Sequence, residues 1–159
     1  MNSALMFSRA TDEWATPQGT FDALHREFDF QLDAAASHEN TKCEQFMSQE
    51  IDALRQDWFA AVDWFDTQAV WLNPPYSKCR EFIAKAAEEA RKGCTVVCLV
   101  PSRTDTRWWH DHVWDAAQHR PRPGVEVRFL KGRLKFGGAA HGAPFPSVVI
   151  VFRPSEVKP

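Results

Sequence analysis

The nine residues Ala69-Val70-Trp71-Leu72-Asn73-Pro74-Pro75-Tyr76-Ser77 constrain this chain more than any other stretch. Four apolar residues predict a short buried strand, and two consecutive prolines end it at once. Proline has no backbone N–H, so the turn presents carbonyls without competing donors. Each proline also holds the residue before it extended, Asn73 and then Pro74. The outcome is a stiff pair of acceptors, the Asn73 side-chain oxygen and the Pro74 carbonyl, with the aromatic face of Tyr76 beside them. Such a pair suits a flat, conjugated NH2 group, whose delocalised lone pair makes it a poor nucleophile. Gripping both hydrogens draws the nitrogen toward tetrahedral geometry and releases the lone pair, using acceptors set in place beforehand. Tyr76 can stack on the planar group and orient it. The competing reading is a strand-ending turn whose tyrosine only packs.

The segments before this motif point the same way. Thr16 is a good N-cap residue and Pro17 suits a first helical position, with Phe21, Leu24 and Phe28 following at helical spacing. A helix N-terminus can hold a carboxylate, although Thr-Pro also starts many ordinary helices. Phe28, Phe30 and Leu32 then alternate with Asp29, Gln31 and Asp33, a period-two strand ending in Asp33-Ala34-Ala35-Ala36-Ser37. In open α/β sheets ligands bind beyond the carboxyl ends of strands, where small residues let them come close. Asp33 is thus placed to meet an ammonium group.

The order Trp-x-Thr-Pro, strand-Asp-Ala-Ala-Ala-Ser, Asn40, strand-Asn-Pro-Pro-Tyr-Ser resembles the phage-type DNA adenine-N6 methyltransferases, from about Asp12 to Phe152. The Asn-Pro-Pro-Tyr element alone is similar to the catalytic motif of S-adenosylmethionine-dependent enzymes acting on adenine, cytosine or glutamine NH2 groups. The resemblance implies cofactor contacts at Thr16, Pro17, Asp33, Ala34, Ala35, Asn40 and Asn73, and catalysis at Asn73, Pro74, Pro75 and Tyr76. One departure is that alanines replace the usual Gly-rich loop after the first strand, and alanine avoids positive φ. The acid for the cofactor ribose stays open among Glu44, Asp52 and Asp57. Cys43 to Ser48 is a candidate second strand, and Trp58, Trp64 and Phe65 read as core.

Downstream, Ser77 is expected to cap a helix running to Lys92, with Phe82, Ile83, Ala86, Ala87 and Ala90 on one face and Gly93 ending it. Cys94 to Val100 is an uninterrupted apolar strand, as in a sheet covered on both faces. Val125 to Phe129 alternates as a strand, Gly132 to Gly138 reads as strand or loop, and Ser147 to Phe152 is a last apolar strand. The expected fold is one Rossmann-like α/β domain over 14–154, between an arm (1–13) and a tail (155–159). Its sheet is mostly parallel, with an antiparallel strand at the C-terminal edge.

Charge narrows the partner. Residues 1–60 carry 4 Lys/Arg against 11 Asp/Glu, whereas residues 101–136 carry 8 against 4. A basic C-terminal half is compatible with nucleic acid. Ser77, Lys78, Arg103, Arg107, Arg133 and Lys135 are the candidate DNA contacts, with Phe136 beside the cleft. Trp108, Trp109 and Trp114 divide evenly between stacking on bases and filling a core. No metal is expected. His110 and His112, two apart on a helix, point away from each other, and Cys94 and Cys98 lie about 13 Å apart along a strand. With no signal peptide or apolar run of membrane length, Cys43, Cys79, Cys94 and Cys98 read as free thiols in the cytoplasm of a bacterial host. The alternatives are a protein-glutamine or RNA amino-methyltransferase, and a catalytically silent nucleic-acid-binding protein of this fold.

Overall fold

A computed structural model describes residues 15–138 and 141–154; the expected arm and tail lie outside the described residues. The chain starts with α1 (Gln18–Phe28) and β1 (Phe30–Asp33). A long connection with a 3-10 turn (Ala53–Arg55) leads to the short α2 (Trp58–Val62) and to β2 (Ala69–Leu72). Then come α3 (Cys79–Lys92), β3 (Thr95–Pro101) and α4 (Arg107–His112). A two-stranded ribbon, β4 (Trp114–Asp115) and β5 (Arg120–Pro121), precedes β6 (Val125–Phe129) and β7 (Ser147–Phe152).

The main sheet has the order β1-β2-β3-β7-β6. β1, β2 and β3 pair in parallel, while β7 runs antiparallel to both β3 and β6. Four of the five strands therefore share one direction, and the antiparallel edge is a β6–β7 pair with β6 outermost. Period-two alternation sends each strand's residues to two cores. Val70, Leu72, Val96, Cys98, Val148 and Ile150 pack with α2, α3 and α4, and Trp108 and Trp109 are buried there as core. Ala69, Trp71, Val97, Leu99, Val149 and Val151 pack with Phe21 of α1, Phe136 and Phe145. Asn73 continues the 69-71-73 series and so belongs on the α1 side.

Several expectations are corrected. Helix α1 takes in Phe28, and Asp29 closes it at φ 55 with its N–H donated to His25 O, so the strand starts at Phe30. Cys43 to Ser48 forms no strand; Phe46 makes one parallel bridge to Asp33, because Asp33 N donates to Gln45 O and Met47 N to Asp33 O. Ser77 does not cap α3, since a 3-10 turn at Tyr76–Lys78 leads into it with no side-chain cap. Trp64 is 71% exposed, stacked on Phe65, rather than core. Of the two readings for Gly132 to Gly138, strand or loop, the structure has the loop, ending in a 3-10 turn at Phe136–Gly138. Gly93 does end α3, at φ +136, its N–H shared between Glu89 O and Ala90 O.

Candidate active site

A cleft opens beyond the carboxyl ends of β1 and β2. Its wall includes Thr16, Asp33, Ala34, Ala35, Asn40 and Asn73, six residues drawn from either end of the segment 16–73 and from its middle. Adjacent parallel strands bring them together: β1 delivers Asp33 and β2 delivers Asn73 to the same end of the sheet.

Asp33 is 2% exposed. Its Oδ1 accepts from Ala35 N at 3.3 Å and its Oδ2 from Lys42 N at 3.0 Å. Burial raises its pKa to about 7, against the opposing pull of those two N–H groups and the Lys42 charge. A carboxylate with so little hydration gains more than a solvated one from a cationic ligand in the cleft. Ala34 N donates to Trp71 O and Ala36 N to Met47 O, so the alanine turn is tied down on both sides without a glycine. Asn40 Oδ1 accepts from Ser37 N at 2.7 Å, which closes the turn.

Asn73 is fixed by a residue far away in sequence. Its Nδ2 donates to Thr16 Oγ1 at 3.1 Å. Thr16 is buried and does not cap α1 as expected: Pro17 is the cap residue and makes no side-chain cap bond. The hydroxyl expected to serve the helix holds the Asn73 amide instead. Pro17 itself adjoins the cleft without lining it. Pro74 is buried, and Pro75 lines the cleft.

Tyr76 lies on the other side of this turn, half-buried, in a T-shaped contact with Phe145 at 4.9 Å. Burial, with Cys79 beside it, lifts its phenol pKa above the usual value despite Arg103, so the ring is neutral at physiological pH. Arg103 lies over the Phe145 ring at 6.0 Å, and Phe136, itself buried, packs on Phe145 at 6.1 Å. Arg133 Nη1 donates to Ala143 O at 3.4 Å, two residues before Phe145. Arg107 and Lys135 are exposed at the start of α4 and on the loop after β6. Ser77 is exposed, and Lys78 lines the cleft behind Asn73.

Sequence reasoning missed much of the cleft: Lys42, Met47, Ser48, Gln49, Leu54 and Phe82 line it too. No local pattern marks them, since most sit on the connection between β1 and α2. Of the three acids left open for the ribose, only Asp52 reaches the cleft. It adopts φ 56, a left-handed conformation that aspartate tolerates better than most residues. Asp57 caps α2 by accepting from Ala60 N, and Glu44 is exposed outside the cleft wall. Phe145 also went unassigned, although prolines on both sides marked a stiff aromatic. Among the described residues no cluster of His, Cys, Asp or Glu could hold a metal ion, and no helix is long and apolar enough to cross a membrane.

Comparison with known proteins agrees with the motif order. The profile of the DNA N-6-adenine-methyltransferase (Dam) family matches residues 4–157. The chain belongs to this family. A DNA N-6-adenine-methyltransferase of Escherichia phage T1 is 37% identical over 108 residues, 67% of this chain and 43% of that protein. One from Haemophilus phage HP1 is 33% identical over 146 residues, 90% of this chain and 79% of that protein. This Dam-family chain thus spans under half the length of the T1 protein and most of the HP1 protein.

Proposed function

We propose that this chain transfers a methyl group from S-adenosylmethionine to the exocyclic N6 amine of adenine in DNA. The observation that carries the reading is that Asp33 and Asn73, from the ends of neighbouring parallel strands, line one cleft. A cation-seeking carboxylate and an amine-gripping amide are what a methyl donor with an ammonium group and an NH2 acceptor require side by side. The alanines of the cleft wall leave room for an adenosyl group.

S-adenosylmethionine supplies an electrophilic methyl group on a sulfonium centre. Asp33 pairs with the ammonium of its amino-acid end, and Ala34, Ala35 and Asn40 border it, with Asp52 the candidate for the ribose. Asn73 Oδ1 and the Pro74 carbonyl accept the two hydrogens of the target amine, and Tyr76 stacks on the ring, its phenol remaining neutral. The bond from Asn73 Nδ2 to Thr16 Oγ1 supports the reading in which the Oδ1 edge faces the amine. Transfer would be direct and in-line, the nitrogen–methyl bond forming as the sulfur–methyl bond breaks, with a neutral thioether as leaving group and one amine proton passing to solvent; proximity and acceptors already in place help it. A base inside a duplex cannot reach this turn, so the adenine leaves the stack. Arg103, Arg107, Arg133, Lys135 and Ser77 hold the phosphate backbone. Lys78, on the cleft wall, serves the cofactor side as well.

Incubation with labelled S-adenosylmethionine and unmethylated DNA, followed by nucleoside analysis, tests this reading. N6-methyladenine is the expected product. Label on cytosine would change the base. Absence of label in DNA with the cofactor still bound would shift the substrate to RNA or to protein glutamine. Loss of cofactor binding would leave a silent nucleic-acid-binding fold.

A further inference from the structure

We infer that two copies of this chain pair through the outer edge of β6, forming a continuous sheet across a two-fold axis at Val127. β6 is the last strand on its side of the sheet, with β7 as its only sheet neighbour among the described residues. The hydrogen-bond register shows which of its backbone groups face outward. Arg153 N donates to Gly124 O, and Leu130 N donates to Ser147 O. In an antiparallel ladder hydrogen-bonded pairs alternate, so Gly124, Glu126, Arg128 and Leu130 face β7. Val125, Val127 and Phe129 then turn their N–H and C=O groups to the outside; Val125 N is taken by Arg122 O.

The sequence of this strand, Val-Glu-Val-Arg-Phe, is self-complementary when a second copy is laid antiparallel with Val127 opposite Val127. That register puts Val127 at a hydrogen-bonded pair, each copy's N–H meeting the other's C=O. Glu126 falls opposite Arg128 of the second copy, and Arg128 opposite Glu126, at the closer, non-hydrogen-bonded positions. Opposite charges meet at both. On the other face Val125 falls opposite Phe129, a phenyl side chain that is 65% exposed in the single chain. Shifting the register by two residues in either direction would destroy the charge match.

The single chain also holds the two charges ready. Arg128 is paired with Glu27 and Glu126, with its guanidinium 5.4 Å from the Phe28 ring, and Arg153 reaches Glu126 at 3.5 Å. The second copy extends this network and places no like charge directly opposite. A contact related by a two-fold axis is isologous and closes at two chains, so the edge is consumed instead of seeding a longer assembly. β1 and its cleft lie at the far side of the sheet, which leaves the site open in the pair.

Light scattering on the purified full chain at micromolar concentration reads the state directly. The expected mass is twice 18.2 kDa. Val127→Pro removes the central donor at an edge position where proline is tolerated, and Phe129→Glu puts a charge against Val125; each should give the single-chain mass. Circular dichroism checks that both variants fold. Val127→Cys should cross-link to itself under mild oxidation, while the unmodified chain does not. Cys79, Cys94 and Cys98 are buried, and the unmodified chain, which carries the half-buried Cys43, is the control for the remaining thiol. A single-chain mass for the unmodified protein would overturn the inference. So would a pair that survives both substitutions, or a Val127→Cys chain that stays uncross-linked.

Discussion

Thr16 and Asn73 are 57 residues apart in sequence and 3.1 Å apart in space, hydroxyl to amide nitrogen. That bond gives the Asn73 amide a defined donor edge. Replacing Asn73 by Ala removes an acceptor from the proposed amine grip and should lower kcat by about 10²–10³-fold, the loss typical of one preorganised electrostatic partner. Cofactor binding should survive. Equilibrium binding beside single-turnover transfer checks both halves, and persistent activity would remove Asn73 from catalysis.

Thr16→Val keeps the shape and deletes the acceptor. The Asn73 amide then loses its anchor, and transfer should slow by roughly tenfold, the equivalent of about 1.4 kcal/mol for one hydrogen bond. Thr16→Ser should restore most of the rate. Equal loss in both variants would show that the hydroxyl does not orient the amide.

Asp33 predicts a pH dependence. Its folded-state pKa is raised to about 7 by burial, above an ordinary 3.8, so the folded chain binds a proton that the unfolded chain releases. This group therefore favours folding below about pH 4, and that contribution is lost as pH rises through about 7. Without ligand, the melting temperature should fall between about pH 4 and pH 7 on account of this residue. Binding of a cationic ligand should show the opposite trend, tightening over the same range as the carboxylate ionises. Calorimetry in buffers of different ionisation enthalpy would detect the released proton, and Asp33→Asn should flatten the profile.

Glu89 is fully buried in α3, and three partners make that tolerable. Lys85 and Lys92 Nζ each lie 2.9 Å from Oε1, and Oε2 accepts from Phe59 N at the start of α2. Burial alone would raise its pKa, but Lys92, Lys85 and the Phe59 N–H outweigh it and hold the carboxyl below its usual value. The stability it contributes is present above about pH 4.5 and is lost as pH falls through the lowered value. Glu89→Ala takes the carboxylate from the Phe59 N–H and the Lys85 ammonium, Lys92 keeping Asp57 at 3.5 Å, and should cost about 3 kcal/mol in urea unfolding. A change below about 1 kcal/mol would show that water replaces the carboxylate.

Arg103 provides a test of the nucleic-acid side. It is exposed over Phe145, beside Tyr76. If it meets a phosphate, Arg103→Ala should weaken DNA binding across sequences and reduce the salt slope by about 1. An unchanged slope would remove Arg103 from the interface.

Much of this architecture is written in short-range pattern. Ala69 to Leu72, Cys94 to Val100 and Ser147 to Phe152 read as buried strands because an apolar run with no polar face has to be covered on both sides. The Asn73-Pro-Pro-Tyr76 turn is equally local, since proline restricts its own φ and its neighbour's conformation whatever surrounds it. Asp33 at a strand end and Gly93 after a helix follow from the same kind of rule.

What the tertiary structure decided depends on partners that no short window contains. Thr16 carries a good cap side chain, and only the approach of β2 turned its hydroxyl to Asn73. Cys43 to Ser48 has strand-like residues but makes a single bridge, Phe46 to Asp33, at the last residue of β1. The tryptophans at 108 and 109 were undecided between base-stacking and core until α4 packed onto the sheet. The carboxyl of Asp33 titrates near neutrality because the chain around it excludes water, and exclusion of water is a property of the assembled fold.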